Sequence, residues 1–239
     1  MIRFDNVTKS FFGHSAALTD ITVQIQDGDF VFLIGPSGAG KTTFLRLIIR
    51  DLLPTKGKVF VGGQEVNILP VSNIHLLRRK IGTVFQDFKL LTDRTVFENI
   101  ALVLEILGKT PHEIYHGVRD VLELVGLSDK ANFFPLQLSA GEMQRTGMAR
   151  AIVGGPGILL ADEPTGNLDP ETSLGILHTL EEISKLGTTV VMATHNVDIV
   201  NTFKKRTIAL HQGRLVSDEL KGQYKIYTKP KAHAVKHRT

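Results

Sequence analysis

The sequence predicts an α/β fold, a mixed and mainly parallel sheet with an N-terminal antiparallel β portion and an inserted helical lobe. Three observations carry that prediction. Phe30-Val31-Phe32-Leu33-Ile34 and Ile158-Leu159-Leu160-Ala161 are short and apolar throughout, as strands covered on both faces are. Ile21, Val23 and Ile25 alternate with Thr22, Gln24 and Gln26, the pattern of a half-buried strand. Between residues 92 and 134 the apolar positions switch to helical stretches: Val96, Ile100, Leu102, Val103, Leu104, Ile106 and Leu107, then Val118, Val121, Leu122, Leu124 and Val125.

The elements follow in order. Asp27-Gly28-Asp29 turns the alternating strand into the first buried one, and a Gly-rich turn leads to a helix-like stretch over 43–53, stopped by Pro54. Lys58-Val59-Phe60-Val61 before Gly62-Gly63 reads as a strand and turn. After the helical lobe come the buried strand at 158–161, a helix over 171–186, a β-branched strand over 188–193 and a hairpin over 207–216 broken at Gln212-Gly213. The expected organisation is one domain over residues 1–220, with a core of 1–90 and 155–220 joined by right-handed crossovers. The helical subdomain takes about 91–154, and no internal repeat is present.

Composition narrows the function. Without cysteine among 239 residues there is no disulfide or thiolate metal site, and a reducing compartment is expected. The start, Met1-Ile2-Arg3-Phe4-Asp5, shows no apolar signal stretch, and no apolar run reaches the roughly 20 residues of a spanning helix. The net charge of +4 is uneven: Lys221, Lys225, Lys229, Lys231, Lys236 and Arg238 have no Asp or Glu among them. The body of the chain is therefore net negative, which argues against a nucleic-acid partner. The basic tail, 221–239, lacks periodicity and is expected to be disordered. It is either a solubilising tail or a contact for anionic lipid headgroups.

Chemistry enters with Gly35-Pro36-Ser37-Gly38-Ala39-Gly40-Lys41-Thr42-Thr43, which satisfies G-x-x-x-x-G-K-[ST] between a buried strand and a helix. The glycines let backbone N–H groups close around phosphate oxygens. Lys41 adds a point charge, and the Thr42 hydroxyl is a ligand for Mg²⁺. A P-loop NTPase core binding ATP is the reading. Asp162 and Glu163 end a buried strand, where α/β sheets present ligands. Asp162 suits Mg²⁺ beside Thr42, and Glu163, one residue on, suits the polarising of an attacking water.

Leu138-Ser139-Ala140-Gly141-Glu142 is, taken alone, a capping box opening a helix. Here the sequence resembles the ABC ATPase family, whose signature reads LSGGQ. The resemblance implies that Ser139, Ala140, Gly141 and Glu142 face the triphosphate held by a second copy, in a head-to-tail homodimer with two ATP at the interface. It implies further that Gln86 is the Q-loop residue reaching Mg²⁺, that Asp169 in Asn167-Leu168-Asp169 belongs to the loop crossing to the partner, and that His195 is the switch histidine at the γ-phosphate. Phe11 falls where the family stacks an aromatic on adenine, with Phe12 in competition.

Within the family, Ala161-Asp162-Glu163-Pro164-Thr165-Gly166-Asn167-Leu168-Asp169 looks like the ATPases whose membrane partners pass mechanical work across the bilayer. Val84-Phe85-Gln86-Asp87-Phe88-Lys89-Leu90-Leu91 is similar to the bacterial cell-division branch. That similarity implies an FtsX-type integral membrane subunit, a peripheral place on the cytoplasmic face of the plasma membrane, and control of cell-wall hydrolysis. A lipoprotein-release or efflux ATPase shares the same segment and is the alternative. Three departures stand out: Ala140 replaces the first signature glycine, Met143 a common glutamine, and Asn196 the usual aspartate after the histidine.

Overall fold

The computed structural model describes residues 1–11, 16–222 and 224. Phe12 and all of the basic tail beyond Lys221 except Gly222 and Tyr224 lie outside them. The expected α/β class is present as two sheets. A four-stranded antiparallel sheet has the order β2-β1-β4-β5, built from β1 (Ile2–Lys9), β2 (Leu18–Ile25), β4 (Lys56–Val61) and β5 (Gln64–Glu65). A six-stranded sheet has the order β10-β9-β3-β8-β7-β6. Its strands are β3 (Phe30–Ile34), β6 (Ile81–Val84), β7 (Ile158–Asp162), β8 (Thr189–Thr194), β9 (Arg206–His211) and β10 (Arg214–Glu219). All are parallel except β10, which closes the hairpin with β9.

Two helices precede β6 in the chain. Helix α1 (Lys41–Ile48) buries Phe44, Leu45, Leu47 and Ile48; Phe44 stacks on Phe4 of β1 with ring centroids 4.1 Å apart. The stack ties the helix after the Gly-rich loop to the antiparallel sheet. The helix stops earlier than the apolar run suggests. Arg50 adopts φ 51°, Asp51 N donates to Arg46 O at 2.9 Å and Arg50 N to Leu47 O at 3.2 Å. This is a Schellman stop with arginine where glycine is usual, so Pro54 has no part in it. A short helix, α2 (Ile74–Arg78), precedes β6.

Helices α3 (Val96–Ile106), α4 (Pro111–Leu124) and α5 (Ala140–Ile152) form the lobe. Each starts on a capping box, through Thr95 and Glu98, Thr110 and Glu113, and Ser139 and Glu142. Val96, Ile100, Leu104, Val118, Leu122, Leu127 and Ala149 make a core of their own. Met148 and Ile152 turn instead into the core beneath the parallel sheet, so α5 joins lobe and sheet. Gly82 in β6 allows this: a Cβ there would sit 2.3 Å from Ala151 O. Helices α6 (Pro170–Lys185) and α7 (Val197–Phe203) follow β7 and β8. No helix among the described residues is long and apolar enough to cross a membrane.

Replacing Phe44 by alanine is expected to cost about 3–5 kcal/mol, the range for deleting a buried ring. Urea denaturation of the variant beside the wild type measures it, and a loss under 1 kcal/mol would contradict the anchoring assigned to the Phe4–Phe44 stack.

Candidate active site

The parallel register brings four strand ends to one edge of the sheet. Ile34 pairs with Thr194, Asp162 with Ala193, and Val84 with Ala161. The residues that follow are therefore neighbours: the loop at Gly35 after β3, His195 after β8, Glu163 after β7, and Phe85-Gln86 after β6. Each strand is held by apolar burial, and each chemical group sits where burial ends.

The loop at 35–40 depends on its glycines for shape. Gly40 has φ 104° and a Cβ there would meet Ala17 O at 2.5 Å; at Gly35 it would meet Leu210 O at 2.3 Å. Pro36, Ser37 and Gly38 are exposed and Ala39 is buried, with Ala39 N bonded to Pro36 O at 3.1 Å. Thr42 and Thr43 begin α1, Thr42 exposed and Thr43 half-buried. Lys41 is buried, 6% exposed. Its ammonium donates to Gly35 O at 2.8 Å and Pro36 O at 3.3 Å, and lies 3.3 Å from Glu163 Oε1.

Glu163 is the hub. Its second oxygen, Oε2, is 3.0 Å from His195 Nδ1, giving a chain Lys41–Glu163–His195. The residue adopts φ 49°, a left-handed conformation that costs a non-glycine residue on the order of 1 kcal/mol. Its N–H bonds to Ala193 O at 3.0 Å and its carbonyl accepts from Gly166 N at 3.1 Å, which hold the turn. No sequence signal marked this strain. His195 is 61% exposed, and Asn196 caps α7, accepting from Asp198 N at 3.0 Å and Ile199 N at 3.2 Å. The departure from aspartate thus keeps the cap.

Thr42, Gln86 and Asp162 line one cavity of about 910 Å³ together with Asn167. Burial pushes the pKa of Asp162 upward and Glu163 adds to that, while Thr42 and Lys41 oppose it. The Gln86 amide lies over Gly166, whose missing side chain would stand 3.1 Å from Nε2. Phe11 is exposed, with Lys9 Nζ 5.1 Å from its ring centre.

The signature segment is elsewhere, on the lobe. Ser139 and Ala140 are exposed. Ser139 Oγ donates to Glu142 Oε2 at 2.8 Å and accepts from Glu142 N at 3.3 Å, while Ser139 N donates to the same Oε2 at 2.8 Å. The Ser139 N–H and hydroxyl hold Glu142 below the ordinary carboxylate range, with Lys130 contributing less. Gly141 is buried, and a Cβ there would lie 2.5 Å from Thr172 Cγ2 of α6. Asp169, the exposed cap of α6, accepts from Thr172 N at 2.9 Å, and its hydrogen bonds to Thr172 lower its pKa. Thr172 therefore touches both the signature helix and the Asp169 loop, a link absent from the motifs because a lone threonine carries no pattern.

Gly141→Ala is expected to destabilise the chain by about 1–3 kcal/mol, as overpacking does. Adding Thr172→Ser, which removes the clashing methyl, is expected to return most of that loss in thermal denaturation. Equal instability of single and double variants would refute the contact.

Residues 18–166 match the model of the ABC transporter family. The cell division ATP-binding protein FtsE of Bacillus subtilis is 52% identical over 95% of this chain and 100% of that protein. FtsE of Mycobacterium tuberculosis is 52% identical over 94% and 98%, and FtsE of Escherichia coli 46% over 90% and 97%. Among solved structures, the dimeric ATP-binding cassette MJ0796 bound to ADP and Pi superposes with a TM-score of 0.84 at 35% identity, covering 94% of this chain and 100% of that one. The chain belongs to the ABC transporter family, as an ATP-hydrolysing cassette of the FtsE cell-division branch.

Proposed function

We propose that the chain works as a head-to-tail homodimer, with ATP between the phosphate loop of one copy and the Ser139–Gly141 segment of the other, and that it drives an FtsX-type membrane partner. The observation that carries the reading is the separation of two half-sites. Lys41, Glu163, His195, Gln86 and Asp162 meet at one sheet edge, while Ser139 and Ala140 stand exposed on the lobe with their hydrogen bonds confined to their own cap. Two copies related by a twofold would offer each triphosphate both half-sites.

The chemistry follows from what each group already holds. The Lys41 ammonium donates to Gly35 O and Pro36 O and pairs with Glu163 Oε1 at 3.3 Å. Phosphate oxygens would replace these partners, and Glu163 would then be released from the ammonium while still bound to His195. A freed carboxylate beside the γ-phosphate is placed to accept a proton from an attacking water. His195 would hold Glu163 in line and meet the γ-phosphate. The donor set of Thr42, Asp162 and Gln86 is all oxygen with one carboxylate, which fits Mg²⁺, an ion that keeps waters and phosphate oxygens as its other ligands. When bound, Mg²⁺ neutralises phosphate charge.

In this reading the partner's cytoplasmic helix lies against the loop at 88–94, beside a groove of about 770 Å³ whose wall includes Phe85, Val103 and Ile106. The dimer sits peripherally on the cytoplasmic face of the plasma membrane. Its turnover would activate cell-wall hydrolases on the far side during division. The FtsE relatives and the dimeric cassette bound to ADP and Pi support this assignment.

Glu163→Gln is expected to keep ATP binding, lower turnover by about 10²–10⁴-fold and trap a dimer on a sizing column with ATP. Turnover at the wild-type rate would remove Glu163 from its role. Lys41→Ala is expected to abolish binding of a fluorescent ATP analogue, and unchanged affinity would defeat the loop assignment.

A further inference from the structure

The chain beyond Gln86 does something side chains rarely permit. Phe88 at φ 56° and Lys89 at φ 49° are consecutive left-handed residues, and neither is glycine. Such a turn persists only where its surroundings over-determine it. What it achieves here is convergence of two carbonyls on one cation. Arg150 of α5 donates from Nη2 to Phe88 O at 3.1 Å and from Nη1 to Lys89 O at 2.8 Å.

Arg150 is an unusual cation for such a post. Burial draws its pKa downward, and among the described residues no ion pair to a carboxylate involves it. Its charge is met by dipoles: the two carbonyls, and Asn99 Oδ1 at 3.5 Å. Asn99 is itself wholly buried. Its amide nitrogen donates to Leu91 O, Arg94 O and Thr95 O at 3.0, 3.1 and 2.9 Å, and its Oδ1 accepts from Leu91 N at 2.9 Å. The stretch 88–95 is therefore wound around two side chains, one from α5 and one from α3.

Upstream of Gln86 the hold is thinner. Gln144, also of α5 and wholly buried, donates to Phe85 O at 3.4 Å, and its Oε1 has no partner. A single long bond leaves the downstream grip of Arg150 as the main tie between the loop and α5. That helix begins at the Ser139 cap and packs onto β6 at Gly82. The fork of a guanidinium suits the task, since a lysine ammonium presents no planar pair of donors.

We propose that Arg150 is a positioning residue for Gln86: by holding the Phe88 and Lys89 carbonyls it makes the Gln86 loop and the signature helix move as one body. This rests on the reading of Gln86 as an active-site group. A shift of Gln86 on nucleotide binding then reaches Ser139 through α5, so the two half-sites within one chain are mechanically joined.

The test is a double-mutant cycle on ATP turnover, with melting temperature and fluorescent-nucleotide affinity measured for every variant. Arg150→Met is expected to lower kcat by about tenfold or more while nucleotide affinity stays within about twofold. Gln86→Ala is expected to be slow as well, and the double variant no slower than Gln86→Ala alone, because Arg150 acts through that residue. Glycine adopts the left-handed conformation without a Cβ clash, so Lys89→Gly in the Arg150→Met background is expected to restore part of kcat. Unchanged kcat in Arg150→Met overturns the proposal, as does additive loss with Gln86→Ala or a kcat deficit that tracks the fall in melting temperature. If Gln86→Ala turns over normally, the fault lies in the Gln86 assignment instead. Should Arg150→Met not accumulate folded, Arg150→Lys takes its place: a kcat loss that Lys89→Gly relieves supports the proposal, and no loss overturns it.

Discussion

Everything at the site depends on the in-register parallel ladder of β3, β8, β7 and β6. Ile34 opposite Thr194 and Asp162 opposite Ala193 fix where apolar burial stops on each strand. The groups immediately beyond are then set within hydrogen-bond reach of one another. Strand pairing has a side-chain period of two, so a slip of one residue would turn every side chain of a strand to the other face. For β7 that would exchange the surroundings of Asp162 and Glu163. The buried residues of β3 and β8 make such a slip costly, since it would also misalign two cores. The apolar interior thus sets the geometry of charges that lie outside it.

Local pattern told most of the fold. Val31, Leu33, Val191 and Ala193 face one core and Phe32, Ile34, Val190 and Met192 the other, and an all-apolar run states that directly. The phosphate loop was legible because glycine spacing is a backbone requirement written in residue type. Strand β6 was not, because Gly82 and Thr83 dilute its apolar run and its glycine answers to the distant Ala151 carbonyl. The end of α1 is hidden in the sequence for a similar reason. Arg50 holds the left-handed stop that glycine would advertise, while Arg46 Nε bonds Asp51 Oδ2 at 2.6 Å just after it. Glu163, Phe88 and Lys89 share that property: their strain is imposed from outside, by Ala193 O in one case and Arg150 in the other. Residue type reports what a position tolerates cheaply and says little about what the rest of the fold compels.

Both strained turns border the same cavity, one through Lys89 and the other through Asp162 beside Glu163. Glu163 leaves β7 left-handed, so its carboxylate reaches Lys41 and His195, while Asp162 lines the cavity with Thr42. Adjacent carboxylates are thereby given different partners, and their mutual repulsion is met by Lys41 and the Thr42 hydroxyl. Gln86, above Gly166, closes the cavity from the strand that α5 grips. Rigidity at these turns limits how far the site can rearrange without moving a helix.

The signature cap sets a further condition on closure. The Ser139 hydroxyl is already committed, donating to an ionised Glu142 and accepting from its N–H. Turning that proton toward a phosphate exchanges one anionic acceptor for another, so the hydrogen bond itself adds little to affinity. Net attraction must come from what is still unspent at the end of α5: the N–H groups of Ala140 and Gly141, which precede the first intrahelical bond of Met143 N to Ser139 O, and the positive end of the helix dipole. Burial of Gly141 against Thr172 leaves its backbone as its contribution to any facing ligand. In the proposed dimer the grip is therefore mostly electrostatic, and it weakens when the γ-phosphate leaves because the charge it acts on is gone. The hydroxyl has Glu142 to return to, so reopening strands no buried donor.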